Sequence, residues 1–104
     1  MKVIYNKIIP FKQFKCINLF GLLFVRKGCF ISEKDFNHEA IHTAQMKEML
    51  YVFFYIWYFV EWIIRLFGKG NAYRSLGFEK EAYSNDDNLS YLDIRPMFAW
   101  WKYL

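Results

Sequence analysis

The segment with the clearest chemical potential is the pentapeptide HExxH at residues 38–42, which reads His-Glu-Ala-Ile-His. Positions i and i+4 of a helix lie on one face, so His38 and His42 can reach the same metal ion. Glu39 then lies beside the open coordination position of that ion, where a carboxylate can take a proton from a metal-bound water. The spacing predicts a metal site with Glu39 as its general base.

A candidate third ligand lies downstream in residues 78–83, which read Phe-Glu-Lys-Glu-Ala-Tyr. With this segment the chain resembles the gluzincin metallopeptidases, whose third ligand is a Glu on a second helix, often within an ExxA(D) pattern. The resemblance implies that Glu79 is the third ligand and that Glu81 lies behind the ligands or on the surface. A shift of the local helix would make Glu81 the ligand instead.

One position departs from the gluzincin pattern, because Tyr83 stands where many members have Asp. In those members the Asp makes a hydrogen bond that fixes the tautomer and orientation of a ligand histidine. Another group must do so here, and the candidates are Asn37, Gln45, Asp86 and a backbone carbonyl. The candidates for polarising a substrate carbonyl are Tyr73, Tyr83 and Tyr91, and the sequence does not choose among them.

The resemblance extends over most of the chain. Residues 37–45, 54–58, 72–74 and 78–83 recur in the same order in a group of small, uncharacterised Bacteroidetes-type proteins. Residues 17–21 and 24–26 look similar to the N-terminal part of that group. These similarities imply a single, minimal zincin-like domain over residues 1–104.

The implied function is zinc-dependent hydrolysis of a peptide bond. His38, His42 and Glu79 would hold Zn²⁺, and Glu39 would accept a proton from the metal-bound water and return it to the leaving amine. The alternative is a non-catalytic protein that uses the metal for structure and an aromatic helix to bind a membrane or a partner. Glu39 favours the enzyme, since a structural site needs no base; the short chain favours the alternative, since little of it remains to form a cleft.

The elements that must position these residues begin with β-type sequence. Residues 3–9, 14–20 and 22–25 are apolar and β-branched segments interrupted by Pro10 and Gly21, which predicts two or three short strands in a hairpin or small sheet. Cys16 and Cys29 belong to no CxxC motif, so we expect reduced, largely buried thiols.

Helical sequence follows from Ser32, a residue able to cap, which precedes acidic side chains in the first predicted turn. No Gly or Pro occurs from Asp35 to Phe67, so we expect one long helix, with or without a bend, to carry the HExxH motif. Residues 68–71 predict a turn, residues 78–84 a short helix, and residues 97–104 a final aromatic helix after Pro96. The predicted fold class is therefore α+β.

An aromatic segment without formal charge occupies residues 50–60, and Glu61 and Arg65 follow at a spacing that allows them to pair on one helix face. Three interpretations remain open for it. Residues 46–67 could span a membrane, lie at its surface or re-enter it, or form a core or dimer helix of a soluble protein. The mixture of Tyr and Trp with aliphatic residues favours the membrane surface.

The amino-acid composition indicates which kinds of binding partner to expect. Hydrophobic residues make up 56% and aromatic residues 23% of the 104 residues, and so many rings are difficult to bury in one small domain. We therefore expect a membrane surface or a homodimer contact in addition to a peptide or protein substrate. The net charge of +4 is dispersed and accompanies no nucleic-acid motif, so nucleic acid is not expected. No signal peptide is recognisable, which predicts a cytoplasmic protein or one at the cytoplasmic side of the inner membrane.

Overall fold

The computed structural model describes residues 1–8 and 15–104, so the predicted strand limits at Ile9, Pro10 and Phe14 lie outside the described residues. The elements are strands β1 (Lys2–Asn6), β2 (Cys16–Leu19) and β3 (Leu22–Arg26), helices α1 (Glu33–Glu48), α2 (Val52–Leu66), α3 (Gly77–Asn85) and α4 (Tyr91–Ile94), and a 3-10 helix at Ala99–Tyr103. A three-stranded sheet thus precedes the helices, which confirms the predicted α+β class.

The sheet has the strand order β1-β3-β2. Strands β2 and β3 form an antiparallel hairpin whose two-residue turn, Phe20 and Gly21, has positive φ angles of 54° and 87°. Such turns match the right-handed twist of the strands they connect, and Gly adopts this conformation without steric cost. Strand β1 adds to β3 in parallel, with Lys2 opposite Leu22. Strand β2 therefore lies at an edge of the sheet.

Helix α1 begins where the capping sequence predicts it. The Ser32 hydroxyl accepts a hydrogen bond from the Asp35 amide at 3.0 Å, and the Ser32 amide donates to the Asp35 carboxylate at 3.2 Å. This reciprocal pair satisfies two amides that the first turn of a helix leaves without partners. The cap residue lies six positions before His38, so both histidines of the motif lie within the regular part of the helix.

The long helix predicted through the aromatic segment is divided by a sharp bend into α1 and α2. Helix α1 ends at Glu48, and the chain turns at Leu50 and Tyr51, which both have left-handed φ angles, 53° and 59°. The axes of α1 and α2 differ by 108°. Left-handed residues cost about 1–2 kcal/mol each, and the turn lets Phe54 stack on Phe78 at 4.5 Å, where burial of a large ring contributes about 1.5–3 kcal/mol.

Length and hydropathy test the predicted membrane span at residues 46–67. Within residues 1–8 and 15–104, no single helix is both long and apolar enough to cross a bilayer. Helices α1 and α2 satisfy that requirement only when they are taken together across their bend.

The C-terminal segment packs against α3 rather than extending as an α-helix. The predicted helix over residues 97–104 is instead the short 3-10 helix, which follows a left-handed residue, Phe98 (φ 57°). Trp100 is 2% exposed and lies edge-on to Phe78 at 4.8 Å. Gly77 permits the C-terminal segment to pack closely against α3, because a Cβ at this position would lie 2.7 Å from a Leu104 side-chain atom.

Candidate metal centre

Three side-chain atoms converge between α1 and α3. The Nε2 atoms of His38 and His42 lie 3.2 Å apart, and Glu79 Oε1 lies 3.3 Å from the first and 3.0 Å from the second. The three residues are between 2% and 8% exposed. They are the three residues that the sequence analysis proposed as ligands, and this buried group could hold a metal ion.

Regular helix geometry and one small core position the three groups. His38 and His42 share a face of α1 because they are four residues apart. Ile41 on α1 packs with Ala82 on α3 and with Tyr91 in a buried cluster. That cluster fixes α3 across α1 and directs Glu79 at the two imidazoles.

The outer nitrogen of each imidazole has its own acceptor. His38 Nδ1 lies 3.0 Å from Asp86 Oδ2, and His42 Nδ1 lies 2.8 Å from Gln45 Oε1. These acceptors favour the tautomers that carry hydrogen on Nδ1, because a carboxylate or amide oxygen accepts from an N–H group. In the neutral form that binds a metal, both Nε2 lone pairs would then be directed at the space beside Glu79 Oε1.

The distances fit the dimensions of a metal site. Ligands held at about 2.0–2.1 Å in a tetrahedron stand about 3.3 Å apart, close to the three separations measured here. The donor set of two imidazole nitrogens and one carboxylate oxygen, each supported by further hydrogen bonds, has the composition of an open site that leaves a fourth position free.

The ionic state of the metal-free group follows from its burial and its charges. Burial alone would lower the pKa of His42, but the negative charge of Glu79 and their hydrogen bond raise it to about 9. Burial alone would raise the pKa of Glu79, but His42 and hydrogen bonds from His38 and Tyr58 hold it well below its usual range. A protonated imidazole therefore occupies the role that a metal cation would take beside the Glu79 carboxylate.

Glu39 faces the same space from α1. Its side chain is half-buried and lines a cavity of about 280 Å³ together with His42 and Glu79. Burial is the largest cause that raises the pKa of Glu39, and the nearby histidines oppose it. A raised carboxyl pKa suits a group that must both accept and release a proton near neutral pH.

The cavity lies between strand β2 and helix α2. On the strand side it is lined by Cys16, Ile17, Asn18 and Leu19, and on the helix side by Phe54, Tyr55 and Tyr58. Cys16 and Cys29 form no disulfide, and both are half-buried rather than largely buried as the sequence predicted. Burial raises the pKa of Cys16 to about 11, so its thiol stays protonated near neutral pH and is a poor nucleophile.

The sequence left the roles of several residues undecided, and the structure shows that these residues lie in different places. Glu81 lies away from the histidines and bonds Arg95, Gln45 and Tyr91. Of the groups proposed to support the ligands, Asp86 and Gln45 contact the histidines directly. Asn37 instead donates to the backbone carbonyls of residues 85, 86 and 88, which holds the loop that carries Asp86.

The three tyrosines proposed as electrophiles also occupy different places. Tyr73 lines the cavity, and burial together with the charge of Glu79 raises its pKa. Tyr83 packs edge-on against His38 at 4.5 Å, and Tyr91 donates to Glu81 outside the cavity. Tyr58, which the sequence did not single out, donates a hydrogen bond to Glu79 Oε2 at 2.8 Å. It lay within the apolar run of α2, where nothing distinguished it from its neighbours.

Comparisons of the chain with protein-family models, with curated proteins and with solved structures gave no match.

Proposed function

We propose that this protein is a zinc-dependent peptide hydrolase of gluzincin type. The observation that carries the proposal is the convergence of His38, His42 and Glu79 on one point, with the Glu39 carboxylate facing the same cavity. A metal site that serves structure alone needs the three ligands but not an additional half-buried acid beside them.

Zinc is the proposed metal because of the donor set. Imidazole nitrogen together with carboxylate oxygen suits Zn²⁺, whereas Mg²⁺ and Ca²⁺ prefer oxygen ligands alone. When bound, zinc would supply Lewis acidity and lower the pKa of a coordinated water towards neutrality.

The chain itself would position groups and move a proton. Gln45 and Asp86 orient the two imidazoles, and Tyr58 holds the second oxygen of Glu79. The Glu39 carboxylate would accept a proton from the attacking water and release it to the leaving nitrogen, a cycle that its raised pKa supports. The apolar walls of the cavity would limit competing water.

The shape of the cavity supports an extended peptide as substrate. Strand β2 lies at the sheet edge and lines the cavity beside Glu39 and His42. An edge strand can pair with an extended chain through backbone hydrogen bonds. The Tyr55 hydroxyl already bonds the Asn18 carbonyl and the Phe20 amide, so a peptide would have to pair nearer the Cys16 end of the strand.

Metal content and turnover measured together test the proposal. We expect one zinc per chain in the wild type and in Glu39→Gln, and none in His42→Ala. Of these three proteins, only the wild type should cleave a mixture of unstructured peptides, with cleavage followed by mass spectrometry. Glu33→Gln changes an exposed acid on the same helix and should retain both zinc and cleavage. Cleavage by Glu39→Gln at the wild-type rate would remove Glu39 from the mechanism.

A structural metal protein is the second candidate, and the burial of the centre between α1 and α3 favours it. The ligands join these two helices, so a bound ion would cross-link them whether or not it acts on a substrate. Zinc-dependent stabilisation without cleavage of any peptide in the mixture would support this candidate.

A further inference from the structure

The side of α2 that faces away from the protein is apolar along the whole helix. Its residues, here called the apolar face, are between 38% and 89% exposed: Val52, Phe53, Ile56, Phe59, Val60, Ile63, Ile64, Leu66 and Phe67. The spacing of 53, 56, 60, 63 and 67 is that of one helical stripe. A helix at the surface of a soluble protein normally carries polar residues on this side.

The polar atoms of α2 point inward instead. Glu61 is 8% exposed, accepts hydrogen bonds from the Gly77 amide and the Trp57 ring, and pairs with Arg65. Helix α2 therefore differs from a surface helix of a soluble protein, because its exposed side is apolar and its polar groups face inward. Trp101, which is 61% exposed and 6.0 Å from Trp57, extends the exposed apolar surface onto the 3-10 helix.

Charge distinguishes between the surfaces that could cover this face. Lys47 and Lys69 are exposed just before and just after α2, and the apolar face contains no carboxylate. A second copy of the chain would bring two proteins of net charge +4 together without an acid on this face to meet those lysines. Anionic lipid headgroups would provide the complementary charge around an apolar interior.

We propose that α2 lies in the interfacial region of an anionic lipid bilayer, with its apolar face in the acyl boundary and Lys47 and Lys69 at the phosphates. A helix of 15 residues is about 22 Å long, shorter than the hydrocarbon thickness of about 30 Å, so it lies in the plane rather than crossing. Trp62 and Trp101 are partly exposed beside it, where indole rings favour the headgroup region. This proposal does not depend on the metal centre.

Sedimentation with vesicles tests it. The full chain should co-sediment with vesicles of phosphatidylglycerol and phosphatidylcholine in equal parts, and more weakly with phosphatidylcholine alone. The double variant Ile56→Glu/Val60→Glu should bind at least about tenfold more weakly, since it removes two aliphatic side chains that the bilayer would bury and adds two charges. Lys47→Gln and Lys69→Gln should each weaken binding to the anionic vesicles about fivefold.

A matched control separates the location of the charges from their number. Phe30→Glu/Leu89→Glu adds the same two charges at exposed apolar positions near the start of α1, 79% and 55% exposed, and should bind like the wild type. Circular dichroism should show equal helix content in both double variants. Equal binding by Ile56→Glu/Val60→Glu and the wild type overturns the proposal. A lipid-free dimer that this variant dissociates, without vesicle binding by the wild type, also overturns it and assigns the face to a second copy.

Discussion

Helix α3 carries two buried carboxylates that point to opposite sides of it. Glu79 is 2% exposed and Glu81 is 0% exposed. Two residues along a helix correspond to a rotation of about 200°, so one meets the imidazoles while the other meets Arg95. Equal burial therefore accompanies two different chemical situations.

The surroundings of Glu81 are complete without any ligand. Arg95 bonds both of its oxygens, Tyr91 donates to Oε2 at 2.7 Å, and Gln45 donates to Oε1 at 3.0 Å. The same guanidinium also forms two bonds of 2.9 Å with Glu48. A fixed cation between two acids leaves no space and no charge for a metal ion.

The surroundings of Glu79 differ in that no arginine or lysine within residues 1–8 and 15–104 is bonded to it. Its neighbours are two imidazoles whose other nitrogens are occupied by Asp86 and Gln45. The comparison teaches that burial of an acid is not the mark of a metal site. The mark is a buried acid whose nearest groups are imidazoles, which can give up a proton to a metal ion and are oriented by further acceptors.

Removal of Arg95, the cation bonded to Glu81, should cause the largest loss of stability. Arg95→Met leaves Glu48 and Glu81 buried without their shared cation, and the free energy of unfolding should fall by about 3–5 kcal/mol. Urea unfolding followed by circular dichroism measures this. Arg65→Met is the matched control: that guanidinium is 34% exposed, and Glu61 keeps its bonds from Trp57 and Gly77, so the loss should stay below about 1 kcal/mol. Equal losses would contradict the distinction between the two pairs.

Replacing Glu79 and Glu81 in turn by Gln tests which of the two carboxylates binds zinc. Zinc at a thousandfold excess over its dissociation constant should raise the free energy of unfolding of the wild type by about 4 kcal/mol. Glu81→Gln should be less stable than the wild type without zinc but should gain the same free energy of unfolding from zinc. Glu79→Gln should gain almost none. Thermal unfolding with and without zinc measures both. A gain retained by Glu79→Gln and lost by Glu81→Gln would assign the ligand role to Glu81.

A smaller effect should come from the acceptor behind His38. Asp86→Ala removes the acceptor of His38 Nδ1, and the affinity for zinc should fall by about 10–100-fold, or about 1.4–2.7 kcal/mol. Competition with a chelating dye measures the affinity. Asp87→Ala removes the same charge from an exposed neighbour and should leave it unchanged. If both variants lose affinity equally, the effect is one of net charge rather than of orientation.

Local sequence carried much of this arrangement. The Ser32 cap, the i, i+4 histidines and the short helix around Glu79 each depend on residues within one or two turns, and each could be predicted. The choice between Glu79 and Glu81 could not be made from helix geometry alone, because either could face α1 depending on the rotation of α3. That rotation depends on the contact of Ala82 with Ile41, which are far apart in the sequence.

The turn between α1 and α2 had no local signal. Neither Leu50 nor Tyr51 favours a positive φ angle, and no Gly or Pro marks the break. The compensation is tertiary, because the turn brings Phe54 onto Phe78 and Tyr58 onto Glu79. Contacts between residues more than twenty positions apart decide the conformation of two residues that by themselves would continue a helix.

Helix α2 contacts the candidate metal centre on one side and presents the apolar face on the other. Tyr58 on its inner side donates to Glu79, and Ile56 on its outer side is 54% exposed. If both sides take ligands, thermodynamic linkage makes their effects reciprocal. If a surface bound to the outer side changes the affinity for metal by some factor, then bound metal changes the affinity for that surface by the same factor.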